Sequence, residues 1–178
     1  MFIENDSDIK IAGDKPSVDI KKNSGSGAEK SVSKEQRDAA KKVGAAVAEQ
    51  FLRDASDAPD NENTDYNLLI QRRLLLSFSA TAGFEQYIGD DTLVGVAQKS
   101  FLDTVRKGGE EIYKTSSDMG AFSFYYLAFR RGNDIERRMG QTFAMLCSHD
   151  GDPIFQELGE ALYCWFTSVV RKAVKQYM

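Results

Sequence analysis

A-F-S-F-Y-Y-L-A-F, running from Ala121 to Phe129, is the stretch on which the fold turns. It is apolar on nearly every side, which suits either a buried helix or a central strand, and periodicity alone does not separate the two. Two features favour a helix. Arg130-Arg131-Gly132 closes the run as cations and a glycine close a helix, complementing the negative end of its dipole. The segments on both sides carry helical periods, so a lone strand would have no partner. Read this way, the chain is all-α, a compact bundle of five or six helices.

Upstream, Ser33-Lys34-Glu35-Gln36 fits a capping box, in which a serine hydroxyl and a glutamine amide each satisfy the other's orphan backbone N–H. Behind it Ala40, Val43, Val47 and Phe51 recur at helical steps. Proline, asparagine and aspartate between Asp54 and Asp65 break the pattern. A second helix starts near Tyr66, with Leu69, Ile70, Leu74, Phe78, Tyr87 and Ile88 on its buried side; Gly83 is expected to bend or stop it, since mid-helix glycine costs about 1 kcal/mol against alanine. Gly89-Asp90-Asp91 makes a corner with an aspartate N-cap. The next helix, through Leu93, Phe101 and Val105, ends at Arg106-Lys107-Gly108-Gly109.

Downstream, Asn133-Asp134 opens one helix and Asp152-Pro153 the last. On a wheel of Pro153 to Tyr177, at about 100° per residue, Leu158, Leu162, Trp165, Val169 and Ala173 share one direction, widened by Ile154, Phe155, Ala161, Phe166 and Val170. The last helix and the aromatic helix around Phe124 are therefore expected at the centre of the bundle. The helical domain is assigned to residues 33–178. Residues 1–32 read as a flexible or loosely docked segment, ending in K-N-S-G-S-G, with a weak hairpin signal in D-I-K-I and S-V-D-I-K around G-D-K-P.

Composition narrows function without naming it. The 178 residues suit one domain with a real core. A net charge of -4 argues against indiscriminate binding of nucleic acid, whose phosphates demand cations. No stretch reaches the roughly 18 continuous apolar residues of a membrane span, and the N-terminus lacks the basic and apolar regions of a secretory signal. Two cysteines do not make a disulfide framework, so a reduced, cytoplasmic protein is expected.

The most chemical-looking stretch is C-S-H-D-G-D-P, Cys147 to Pro153, with the chain's one histidine. One histidine cannot supply a di-iron bundle, and three Cys and His residues in all cannot build structural zinc. A calcium loop counted from Asp150 or Asp152 meets Ala161 or Tyr163 where its glutamate belongs. Cys147 and His149 are two apart, a spacing that points side chains away from each other on a helix. No nucleophile elbow and no phosphate loop is present. Helix ends explain the stretch better: His149 as a C-terminal cation, Gly151 at a left-handed C′ position, Asp152 as N-cap and Pro153 at N1. No catalytic, metal or cofactor site is assigned, and the chain leans away from being an enzyme.

Three groups of residues remain as candidates. Arg130, Arg131, Arg137 and Arg138 flank one tight corner and suit an anion or an acidic partner. Phe122, Tyr125, Tyr126, Phe129, Phe143 and Trp165 are the expected lining of a pocket for a small lipophilic ligand. Cys164 falls on the polar side of the last helix, beside Glu157, Glu160, Arg171 and Lys175, an unusual place for a thiol, and is read as an interface or reactive cysteine. The leading expectation is a non-enzymatic interaction or regulatory protein, homodimeric and acting through helix faces. The alternative is the lipophilic-ligand binder.

Overall fold

A computed structural model of the chain describes residues 32–56 and 66–178. The expected N-terminal hairpin and linker lie outside the described residues, as does most of the Pro/Asn/Asp break after Asp54. The described residues form seven helices and no strand: α1 (Lys34–Ser56), α2 (Tyr66–Ile88), α3 (Asp91–Gly108), α4 (Glu110–Ser116), α5 (Met119–Arg130), α6 (Ile135–Leu146) and α7 (Pro153–Tyr177). The Ala121–Phe129 run is helical, as its flanks require. The count exceeds the expected five or six because the chain does not loop after the glycine pair. Gly109 ends α3 and starts α4 at once. Glu110 and Glu111 in the first turn of α4 and Lys114 in its last match the dipole of this short helix.

Local signals set several boundaries. Gln36 N–H donates to Ser33 Oγ at 3.2 Å, and Ser33 N–H donates to Gln36 Oε1 at 2.9 Å, the reciprocal capping box. Asp90 caps α3 by accepting from Leu93 N–H at 3.1 Å. Asp152 caps α7 by accepting from Ile154 N–H at 2.9 Å, with Pro153 opening the helix. These contacts satisfy donors that the first turn leaves without intrahelical partners.

The centre of the bundle is α2, not α5. Every residue from Leu74 to Ala80 is buried, so the middle of α2 is packed all round. Ser79 within that run is satisfied by donating to Leu75 C=O at 2.7 Å. α7, α3, α4, α5, α6 and α1 all pack against it. Phe51, Phe84, Phe101 and Phe166 join α1, α2, α3 and α7 through edge-to-face pairs 5.6 to 6.2 Å apart. Burying each such ring is worth roughly 1.5–3 kcal/mol.

Gly83 does not stop α2, which runs on to Ile88. A Cβ there would sit 2.9 Å from Val170 Cβ, so the glycine marks a close approach of α2 and α7. Packing gained across that contact offsets the propensity cost that the sequence pattern emphasises.

Candidate functional site

α5 begins at Asp118, whose carboxylate accepts from Gly120 N–H at 2.7 Å and Ala121 N–H at 3.4 Å. From that start, Phe122, Tyr125, Tyr126 and Phe129 fall at steps of three, one and three, on one side of the helix. All four rings meet Phe78 of α2, with centroids 5.5 to 6.5 Å away. Phe78 is the hub of this cluster. Its place in the apolar period of α2 reveals that it is buried but not what surrounds it.

The opposite side of α5 faces outward. Phe124 is 49% and Leu127 62% exposed, with Tyr126, 43% exposed, at the margin of the inner side; among the described residues α5 packs chiefly on α6 and α2. Between α5 and α2 lies an open groove of about 470 Å³, lined by Phe78, Thr81, Phe122, Ser123, Tyr126 and Leu127. Its wall is nearly all apolar.

The expected six-residue pocket is divided. Phe122 and Tyr126 line this groove, and Phe129 is half-buried beside Phe78. Tyr125 is buried instead, stacked on Phe78. Its hydroxyl has no hydrogen-bond partner among the described residues, and burial, with Cys147 nearby, pushes its pKa well up. Phe143 is buried at the α6–α7 contact, close enough to Gly159 that a Cβ there would clash with it. Trp165, 38% exposed, belongs to a second groove of about 480 Å³ between α1 and α7, with Glu49, Arg53 and Lys172. Composition identified the aromatics; separation of α5 from α7 keeps them from enclosing one cavity.

The four arginines of the corner differ in what they do. Arg138 donates through Nε to Asn133 C=O at 2.7 Å, so it holds the corner itself. That corner is tight, with Gly132 at φ 76° and Asp134 at φ 50°. Arg130, Arg131 and Arg137 are exposed and without an ion-pair partner among the described residues. The Arg130 guanidinium stands 5.9 Å from the Tyr126 ring centroid, at the edge of the apolar face. Arg72 and Arg73 of α2 tie elements together. Arg72 pairs with Asp54 of α1 at 2.5 Å; Arg73 donates to Ala55 C=O of α1 and Thr115 Oγ1 of α4, both at 3.4 Å.

C-S-H-D-G-D-P is a corner, differently built from the expected one. Ser148, at φ 64°, occupies the left-handed C′ position that the pattern assigns to Gly151. His149 N–H donates to Ala144 C=O at 2.8 Å and Ser148 N–H to Met145 C=O at 3.0 Å, the two bonds of a Schellman motif. Gly151, at φ 79°, serves a second turn closed by Asp152 N–H to His149 C=O at 3.0 Å. Cys147 is buried in the core, while the exposed His149 imidazole lies flat on Phe155 at 3.7 Å. Thiol and imidazole thus lie in different environments, one in the core and one at the surface.

Cys164 is exposed on α7. Partial burial, then the carboxylates of Glu136 and Glu160, push its thiol pKa up, the opposite of what an activated nucleophile requires. Among the described residues no three His, Cys, Asp or Glu side chains gather as metal ligands, and no helix is long and apolar enough to cross a membrane. The class defined by fold and surface is an all-α bundle with an apolar helix left half-covered. No family model, curated protein or solved structure matches the chain.

Proposed function

We propose that the protein is a non-enzymatic, cytoplasmic interaction module that binds a protein partner through the outer face of α5 and also self-associates. The carrying observation is the exposure of Phe124 and Leu127 on the side of α5 turned away from Phe78. Apolar side chains grouped on one face beside a groove are what a helix-binding surface presents. Unpaired Arg130 and Arg131 at the end of that face favour an acidic flank on the partner. A photo-reactive phenylalanine at position 127 in cells should give a discrete protein adduct, and one at Asp103 on α3 should not. Equal labelling from both positions, or none from 127, refutes the reading.

A second reading rests on the α5–α2 groove, whose volume and apolar wall suit a small lipophilic ligand. Native mass spectrometry of the purified protein separates the two: a retained ligand of small-molecule mass, lost in Leu127→Asp, supports the second.

A further inference from the structure

The apolar arc of α7 is wider than the face it buries. Its buried side is marked by Gly159, Leu162, Phe166 and Val170. Roughly 115° around the helix, at about 100° per residue, run Ile154, Leu158, Ala161 and Trp165. All four are exposed, Ile154 by 73%. They follow one another at steps of four, three and four, the spacing of a seam that faces another helix, and Ser168 and Lys172 continue it. Among the described residues α1 borders the seam at the groove that Trp165 and Lys172 line, and leaves Ile154 and Ala161 exposed.

Beside the seam lie Glu157, Cys164 and Arg171, at successive seven-residue steps and all exposed. Glu157 and Arg171 have no ion-pair partner among the described residues. We infer that α7 pairs antiparallel with α7 of a second copy of this chain, about a twofold axis passing close to Cys164. Glu157 and Arg171 are equidistant in sequence from Cys164 and opposite in charge. Antiparallel pairing therefore sets Glu157 against Arg171 of the second copy, twice per dimer. It also lays Trp165 over the small Ala161 of the second copy, and the aliphatic stem of Lys172 along its Ile154. A parallel arrangement would turn Glu157 toward the apolar flank of the other helix and leave its charge unpaired. The partner that matches both charge and side-chain size is α7 itself.

The inference rests on the self-association part of the proposed function and supplies its interface. Sedimentation of the full chain should show a dimer for the wild type and a monomer of unchanged helicity for Ala161→Glu, whose site is exposed and cannot disturb the core. Glu157→Arg or Arg171→Glu alone should raise the dimer dissociation constant about tenfold, because each creates two like-charge contacts. The double exchange should return it to within about threefold of the wild type. A short bis-maleimide should link two chains through Cys164, and Cys164→Ser should abolish the product. A dimer indifferent to Ala161→Glu and not linked through Cys164 overturns this interface while self-association stands. A wild-type monomer overturns both.

Discussion

At the scale of single residues, two glycines within helices carry opposite expectations. A Cβ at Gly44 of α1 would lie 2.2 Å from the Ala97 carbonyl oxygen of α3. Backbone cannot rotate out of the way, so Gly44→Ala must push two helices apart at a cost of about 1–3 kcal/mol. Gly95 of α3 is exposed, with nothing within 4 Å of its would-be Cβ. Gly95→Ala should therefore stabilise by about 0.5–1 kcal/mol through helix propensity alone. Urea unfolding of both variants checks the pair, and equal shifts would contradict the close approach of α1 and α3. Helical period puts Gly44 on the stripe of Ala40, Val47 and Phe51 and Gly95 on the side of α3 away from Leu93 and Ala97, but only the fold shows how closely another helix approaches. Phe78 is similar, buried by its period yet identifiable as the hub of four rings only once α5 is laid against it.

For whole elements, capping was readable and relative position in the bundle was not. The Ser33–Gln36 box, the Asp90 cap and the Asp152-Pro153 start all stand where the residues place them, because each involves bonds spanning three residues or fewer. Asp152→Ala should cost about 1 kcal/mol, measured as a lower urea midpoint at unchanged slope. The end of α6 shows how far such local reading reaches. Glycine preference pointed to Gly151, yet Ser148 holds the left-handed C′ position and pays a steric penalty there. Ser148→Gly should accordingly raise stability by about 1 kcal/mol; a loss would mean that the serine side chain contributes something the corner needs. The relative positions of α2 and α5 lay beyond this reach. Both are rich in apolar residues, and nothing local says that Leu74–Ala80 will be enclosed while Phe124 and Leu127 face outward.

For the molecule as a whole, packing sets the response to alkali. Burial raises the pKa of Tyr125 and Tyr163 above the ordinary tyrosine value, with Cys147 adding to the first and Glu136 to the second. A phenol whose pKa is raised by folding keeps its proton where the unfolded chain has lost it. Stability is therefore intact below about pH 10 and falls as the pH rises beyond it. In a titration followed at 295 nm with parallel circular dichroism, these two phenolates should form only as helicity is lost. Ionisation of all seven tyrosines before any helix melts would contradict the buried placement.

The sequence by itself determined an all-α chain, most of its helix starts, and the supply of aromatic, arginine and cysteine side chains. Capping and helical period are settled by hydrogen bonds and side-chain spacing within a turn or two, so they survive being read without neighbours. Tertiary structure alone decided which helix became the centre and which part of each apolar arc was used. α7 illustrates the reason. Its apolar residues cover more of the helix than its neighbours can bury, so contacts with α1, α2 and α6 select one side and leave Ile154, Leu158 and Trp165 on another. That choice depends on residues far away in the chain.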